Sequence, residues 1–328
     1  MGWLSACSIQ KMRLKGHRRA VFVFGCLLAA CLAWPCSAVV QGTPTRAGAT
    51  YRDHIAIYEK TGNSSDAYSV GIDFLNGICE APQSHQLAMK WFKKSADKGN
   101  TYAAVQLGEM YLLGQGTTAN EQEAKKWFSF AAHKGNAKGQ EKLGDMYFYG
   151  EAGPHNYGEA RKWYLLAAEQ GLTFEPSHKI GDMFLIGEGG DVNYPEALKW
   201  YLKADELGDR DAAVFIATIY RQSNKSLAAR WLLKGATQGN TIAMCDLAKA
   251  YINGRGIERN NLEAFKWLAV VTAKENNPEA EELFRQTAKT MSHSELANAR
   301  KQAAELVKKY VTAQDREDKD FEKGLKGN

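Results

Sequence analysis

Residues 103–136 read AAVQLGEMYLLGQGTTANEQEAKKWFSFAAHKGN and contain two helical patterns separated by a glycine-rich turn. In the first half, Ala103, Leu107 and Tyr111 recur every four residues, which places them on one face of an amphipathic α-helix. The tripeptide at 114–116, GQG, interrupts this pattern. The stretch therefore predicts a helix, a tight turn and a second helix.

The second helix is predicted from about Asn120 to Lys134. Its apolar side carries Trp127 and Phe128 among alanines. Gly135 is predicted to end the helix in the left-handed conformation, where a side chain would cost steric energy.

This helix pair is repeated six times along the chain. The six central tryptophans are separated by 36, 36, 37, 31 and 36 residues, and each follows a lysine or an arginine. A glycine follows each of the first five tryptophans by eight residues. One such pair cannot bury its apolar face alone, so consecutive pairs are expected to stack. The tryptophans are Trp91, Trp127, Trp163, Trp200, Trp231 and Trp267.

The repeated pattern, A-x-x-x-L-G-x-x-Y-x-x-G-x-G followed by K-A-x-x-W-[FY]-x-x-A-A-x-x-G-[ND], resembles the Sel1-like repeat family, a relative of the tetratricopeptide repeat. The resemblance covers about residues 65–277. It implies an all-α fold, a right-handed superhelical solenoid of helix-turn-helix repeats whose first helices line the inner surface. Fold does not determine function, because function depends on the surface that a given chain carries.

Segments on both sides of the array are predicted to cap it. Residues 39–64 are interpreted as a linker and a half-repeat that covers the first pair. Residues 278–314 are predicted to form two capping helices, the second of which starts with a capping box at Ser292 and Glu295. The charged tail at 315–328 is predicted to be disordered.

The fifth repeat is shorter than the others. The distance from Ala217 to Trp231 is 14 residues instead of 19, so the glycine turn is missing and residues 222–225 must join the two helices directly. This is either a tolerated deletion or a functional bend with altered local curvature.

The amino-terminal segment predicts export. Residues 1–38 combine a basic start, an uncharged apolar run and a small residue at Ala38, as in a cleaved signal peptide. Residues 28–31, LAAC, also resemble a lipobox, which would make Cys31 a lipidated first residue of an outer-membrane lipoprotein, and an uncleaved anchor is a third alternative. Export leaves Cys79 and Cys245, which are expected to be unpaired.

The net charge of +5 does not indicate a nucleic-acid partner. Five basic residues and no acidic residue lie in the first 38 positions, so the remaining chain is neutral. The basic surface that a DNA- or RNA-binding protein needs is therefore not expected.

The chain carries little sequence evidence for chemistry. It lacks paired histidines at metal-binding spacing, a C-x-x-C motif, a G-x-S-x-G elbow and a phosphate-binding loop, so no metal, cofactor or catalytic residue is predicted. Ser95 and Lys98 form an S-x-x-K, and residues 60–62 read KTG, two signatures of penicillin-interacting serine hydrolases, a class to which some cysteine-rich Sel1 relatives have been linked. Both matches fall on the helix ends of the repeat, and the S-D-N element is missing.

A partner-binding face is predicted on the first helices. With Leu107 at the centre of the buried stripe, Tyr102 and Glu109 point away from the core. Acidic side chains in successive repeats would form a ladder that orients a basic partner, and apolar side chains beside them would anchor it. A solvated face without a partner is the alternative. The candidate residues are Tyr102, Glu109, Asp145, Phe148, His178, Asp182, Leu185 and Arg221.

These observations predict a non-catalytic scaffold in the bacterial cell envelope that is exported to the periplasm and binds a protein or an envelope polymer. The membrane is expected to be involved only through the amino-terminal signal or a lipid anchor. The alternatives are a penicillin-interacting hydrolase and an envelope polysaccharide assembly factor.

Overall fold

The computed structural model describes residues 50–312 and residue 315. Within these residues the chain forms fifteen α-helices and no strand. They divide into two compact units, the first up to Ala103 with Gln115–Thr117, the second comprising Ala104–Gly114 and the described residues from Thr118 onward. In this part of the chain, no helix combines the length and the apolar character that crossing a bilayer requires.

The first unit is built from three helices. They are α1 (Tyr51–Thr61), α2 (Ser64–Asn76) and α3 (His85–Asp97), and α2 packs against both of the others. Helix α4 (Thr101–Leu113) starts at the end of this unit and continues in the second. Helix α1 packs against α2, the first helix of the first pair.

The second unit continues with eleven further helices after α4. They are α5 (Glu121–His133), α6 (Ala137–Tyr149), α7 (Tyr157–Glu169), α8 (Glu175–Ile186), α9 (Tyr194–Glu206), α10 (Ala212–Ser223), α11 (Lys225–Thr237), α12 (Thr241–Asn253), α13 (Asn261–Lys274), α14 (Pro278–Lys289) and α15 (His293–Tyr310). From α6 to α13 each helix packs on the helix before it and the helix after it. This nearest-neighbour pattern is that of a solenoid. Helix α13 also packs against α14 and α15, which cover the last repeat.

Asparagine starts most of these helices, because its side-chain oxygen accepts a hydrogen bond from a backbone N–H that has no partner within the helix. Gly135 has a φ of 81°, as predicted for a residue that ends a helix in the left-handed region. The predicted capping box of α15 is also present, with Ser292 and Glu295 each bonded to the backbone of the other. The asparagine caps are Asn63, Asn120, Asn136, Asn156, Asn193, Asn224, Asn240, Asn260 and Asn277.

The deepest core position is the residue that follows each repeated tryptophan. In the first four repeats it is aromatic, and each of the four side chains is completely buried. Every one of these rings lies against a glycine of the first helix in the same repeat, and a Cβ atom added to that glycine would come within 2.8 Å of the ring. In the fifth and sixth repeats, alanine replaces the glycine and leucine replaces the ring. The pairs are Gly71 with Phe92, Gly108 with Phe128, Gly144 with Tyr164, Gly181 with Tyr201, Ala217 with Leu232, and Ala248 with Leu268.

The tryptophans lie further out than the sequence suggests. Although they mark the repeat, three of the six are only half-buried. The buried Trp163 contacts the ring of His133 on α5, with ring centroids 5.0 Å apart, and Trp267 contacts Tyr310 on α15 at 5.9 Å. Trp163 therefore packs where two consecutive second helices meet, and Trp267 packs where the last repeat meets α15.

The fifth repeat has the short connection that its spacing predicts. Asn224 is the only residue between α10 and α11. Its backbone N–H bonds the carbonyl oxygen of Tyr220, and its side chain accepts a hydrogen bond from the N–H of Leu227, so one residue caps both helices.

The cysteine prediction is half wrong. Cys245 is free and buried, as expected, but Cys79 is disulfide-bonded. The expectation rested on the long separation of Cys79 from Cys245, and Cys245 is not its partner. The predicted signal peptide at 1–38, with the lipobox cysteine Cys31, and the charged tail after residue 315 lie outside the described residues.

Candidate functional site

The eight predicted partner-binding residues are divided between the two units. Tyr102 belongs to the first unit, where its ring lies 6.5 Å from that of Tyr68 and 66% of the residue is exposed. The other seven lie on the first helices α4, α6, α8 and α10 of the second unit.

The acidic ladder of the second unit is present, but its carboxylates have partners inside the protein. Asp145 accepts a hydrogen bond of 2.8 Å from the hydroxyl of Tyr164 and one of 2.5 Å from Nζ of Lys179 in the next repeat. Burial and the Asp145 carboxylate both raise the pKa of Tyr164, which keeps this phenol protonated as a donor. Burial lowers the pKa of Lys179, but Asp145 and Glu141 outweigh burial and raise it.

The other two acidic residues also have partners inside the protein. Asp182 accepts a hydrogen bond of 2.6 Å from the hydroxyl of Tyr201, and Glu109 lies 3.7 Å from Nζ of Lys142 in the next repeat. A carboxylate of one repeat is thus followed by a lysine of the next at two of the three steps. The face therefore carries alternating charges and is not the uniformly acidic face that the sequence predicts.

His178 occupies the centre of the most polar cluster on this face. Its Nδ1 lies 2.5 Å from Oδ2 of Asp209, and its Nε2 lies 3.6 Å from Oδ1 of Asp182. The imidazole also contacts the edges of Tyr201 and Phe215. Burial lowers the pKa of His178, but Asp182 and Asp209 more than compensate and raise it to about 9. The imidazole is consequently a cation near neutral pH and cannot act as a general base there.

Phe148 and Leu185 are not surface anchors, which corrects the prediction for both. Only 9% of Phe148 and 8% of Leu185 is exposed. The ring of Phe148 packs against Tyr157 and Tyr164 of α7, with centroids 5.3 and 6.4 Å away. A single helical wheel missed this, because a first helix in a stack contacts both the second helix of its own repeat and that of the repeat before it. Its buried arc is therefore wider than one stripe.

Arg221 lines an open cleft formed by α10, α11 and α12, with a volume of about 420 Å³. Its column in the repeat is apolar elsewhere, since Leu112, Phe148 and Leu185 stand at the same position in earlier repeats. Arg221 is half-exposed and binds Oδ2 of Asp246 through Nη2 at 2.8 Å. Because Asn224 alone separates the two helices, the end of α10 and the start of α11 contribute to the same cleft.

The cleft is basic with an apolar floor. Four basic side chains and a single carboxylate, that of Asp246, line it, and alanines and Leu232 form the apolar part. Sequence reasoning identified Arg221 and missed the rest. A signal was available: the first helices of repeats three and four read K-x-G-D, at 142–145 and 179–182, whereas the sixth reads D-x-A-K at 246–249. The order of charges is reversed across the short repeat. The basic residues are Arg221, Lys225, Lys249 and Arg255.

The hydrolase alternative finds no support in the first unit. Ser95 is completely buried, and its hydroxyl donates a hydrogen bond of 2.6 Å to the carbonyl oxygen of Ser64. Lys98 of the S-x-x-K donates to the carbonyl oxygen of Gly62. Both signature residues therefore stabilise helix ends, and a substrate cannot reach the serine.

One group in the first unit has the composition of a metal site. The ligand atoms of His54, Asp73 and Cys79 lie within 4.8 Å of one another, and Nδ1 of His54 lies 2.6 Å from Oδ2 of Asp73. Because Cys79 is disulfide-bonded, its sulfur is not the thiolate that binds metal ions. The His54–Asp73 pair is left as a structural contact between α1 and α2.

The Sel1 repeat family profile matches the chain at residues 66–100, 101–136, 137–172, 178–209, 219–240 and 241–269, which is more than half of its length. The chain belongs to the Sel1 repeat family. The shortest match falls in the fifth repeat, where the turn is missing. Proteins built from Sel1 repeats are generally protein-interaction scaffolds, and this Sel1 array has the helix pairs of that class.

Solved structures agree on the fold. The chain is similar to c5321, a protective antigen of uropathogenic Escherichia coli with an SLR fold, with a TM-score of 0.57, 23% identity, and coverage of 81% of this chain and 65% of that chain. It therefore spans slightly less than two thirds of that relative. A Sel1 repeat protein from Oxalobacter formigenes gives a TM-score of 0.57 and 27% identity, covering 68% of this chain and 94% of that chain. A search of curated proteins finds no match.

Proposed function

We propose that this Sel1 repeat protein is a non-catalytic scaffold of the bacterial cell envelope that binds a protein partner along the first helices of its second unit. The observation that carries the proposal is the row of charged, partly exposed side chains on α4, α6, α8 and α10. Intramolecular hydrogen bonds hold the carboxylates of Asp145 and Asp182, and an ion pair with Lys142 holds that of Glu109. Carboxylates and cations held in place lose little side-chain entropy when a partner binds.

The charges of this face favour specificity over raw affinity. Glu109 and Asp182 keep about a third of their side-chain surface exposed, and Arg221 keeps about half. Partly exposed charges steer encounter and reject partners whose charges do not match. Two side chains that could have reacted are occupied structurally: His178 is held as a cation between two carboxylates, and Ser95 is buried.

The envelope assignment rests on the leader alone. A basic start followed by an uncharged apolar run directs export. Cell fractionation and the intact mass of the purified chain test this part: cleavage after Ala38 gives a periplasmic protein, and a lipidated Cys31 gives a membrane-anchored one. A full-length chain in the cytoplasm would contradict the proposal.

Site-specific photo-cross-linking in cells tests the binding face. A photoreactive amino acid replaces Glu109, Asp182 or Arg221 in turn, and Lys126 on α5 and Lys199 on α9 serve as exposed control positions on second helices. We expect the same protein to be cross-linked from the three test positions and not from the two controls. Equal cross-linking from all five, or none from the test positions, would refute the proposal.

A further inference from the structure

We propose that the cleft at the short fifth repeat is a binding site for an acidic peptide segment of a partner protein. This deepens the proposed scaffold function and rests on it. The segment would place one or more aspartate or glutamate side chains among the basic residues of the cleft, with small apolar side chains on its floor.

The first support is that the cleft holds basic groups without an acidic partner. Lys225 and Arg255 are exposed and form no salt bridge within the described part of the chain. By contrast, Lys142 and Lys179 on the first helices of the third and fourth repeats are each paired with a carboxylate of the repeat before, Glu109 and Asp145. With four basic side chains and one carboxylate in its lining, the cleft has a net positive charge.

The second support is that two basic side chains of the cleft already bind a carboxylate of the protein itself. Arg221 and Lys249 both reach Asp246, at 2.8 and 3.4 Å. Lys249 also lies 2.8 Å from Glu279, whose side chain is 66% exposed.

The third support is the shape and the floor. Ala217, Ala228, Ala229 and Ala250 line the cleft together with Leu232. A floor of small apolar side chains accepts an extended peptide, and the basic rim selects its charge. The single-residue connection at Asn224 creates this arrangement, since a longer turn would separate Arg221 from Lys225.

Fluorescence anisotropy with the full purified chain tests the proposal. The probe is a fluorescein-labelled peptide of six Asp-Ala repeats, and the matched peptide of six Asn-Ala repeats has the same length without charge. We expect the Asp-Ala peptide to bind and the Asn-Ala peptide not to bind. Raising the salt concentration from 50 to 300 mM should weaken binding, because it screens exposed charges.

Variants locate the bound peptide. Arg221→Ala, Lys225→Ala and Arg255→Ala should each weaken binding about threefold to tenfold, the range for partly exposed charge-assisted contacts. Lys308→Ala on α15 removes an exposed lysine outside the cleft and should leave binding unchanged. Circular dichroism melting of each variant checks that folding is retained.

The outcomes separate this inference from the scaffold proposal. Absence of Asp-Ala binding, or binding unchanged by all three cleft substitutions, would overturn the inference. Equal competition by inorganic phosphate at the same concentration would show that any anion is accepted and would also overturn it. If cross-linking from Glu109 persists in those cases, the scaffold function stands without the acidic segment. If the peptide binds as expected and Glu109 cross-links nothing, the cleft is supported as a binding site and the proposal of an extended binding face is refuted.

Discussion

Repeats two to four and repeats five and six of this Sel1 protein use the same helix pair with two different interiors. In the earlier repeats a glycine accommodates a buried aromatic ring, and two of the rings donate a hydrogen bond to a surface aspartate. In the later repeats an alanine and a leucine fill the same positions, and no hydroxyl is buried there. The combined volume of the two paired side chains is therefore similar in both regions. The hydrogen bond from the core to an aspartate on the face exists only where the ring is tyrosine.

The largest expected effect comes from exchanging one member of a core pair. Gly108→Ala places a Cβ atom 2.5 Å from the ring of Phe128, and we expect a loss of about 2–3 kcal/mol in the free energy of unfolding. At an unconstrained helix position the same change would stabilise by about 1 kcal/mol. Urea denaturation followed by circular dichroism measures the difference.

The double variant Gly108→Ala with Phe128→Leu is the control for this prediction. It reproduces the alanine and leucine of the sixth repeat, at Ala248 and Leu268, and should recover most of the loss. Additive effects of the two substitutions would contradict the view that each pair conserves its own volume.

The next effect concerns pH. His178 has a pKa of about 9 in the folded protein, above its value of about 6.5 in an unfolded chain. A raised pKa contributes stability that is fully present below pH 6.5 and is lost as the pH rises towards 9, and we expect a loss of roughly 2–3 kcal/mol over this interval. Melting temperatures of wild type and His178→Gln across the interval measure it.

The histidine variant should lack this component of the pH dependence. His293→Gln, which removes an exposed imidazole on α15, controls for the loss of a histidine as such. An identical slope for His178→Gln and wild type would show that Asp182 and Asp209 do not stabilise the cation. At the equivalent position the fifth and sixth repeats carry Val214 and Cys245, so this pH response belongs to the fourth repeat.

A smaller effect is expected from removing one polar link between core and face. Tyr201→Phe deletes the donor to Asp182 and keeps the ring, so stability should fall by about 1 kcal/mol. Tyr102→Phe removes a phenolic hydroxyl from an exposed ring and should change stability little. Equal changes in thermal denaturation for the two variants would mean that the link adds nothing to an aromatic core.

The smallest effect on stability is expected at Arg221, in the fifth repeat. Arg221→Leu restores the apolar residue found at this column in earlier repeats and breaks an exposed ion pair with Asp246. The free energy of unfolding should change by no more than about 0.5 kcal/mol, because exposed pairs contribute little. A loss above about 1.5 kcal/mol in urea denaturation would show that Arg221 has a structural role.

The repeat, its register and its short member were all readable from the sequence, because tryptophan spacing and glycine positions depend on local geometry. Gly135 and the connection at Asn224 are examples. The burial of Phe148 and Leu185 was not readable, since it depends on how wide an arc of each first helix the stack covers. The disulfide of Cys79 was missed for a different reason, because the spacing of cysteines along the chain does not specify which of them meet.

The candidate site shows the same division. The acidic residues were found from their positions along the repeat, but their intramolecular partners, Tyr164 and Lys179 for Asp145, required knowledge of which side chains approach across repeats. The basic cleft combines residues of three helices, and only Arg221 had been selected from the sequence. Recognising that repeat six reverses the charge order of repeats three and four would have indicated Asp246 and Lys249.

The fit between each core glycine and its ring is completed within one repeat, whereas the ion pairs of the face join one repeat to the next. A gene segment encoding a whole repeat can therefore be copied or lost while each glycine keeps the ring that packs against it. The contacts between neighbouring repeats, in the core and on the surface, change at the new boundary. Such an array can change rapidly in length during evolution. Each insertion also changes the order of the surface charges, and therefore the partners that the array can bind.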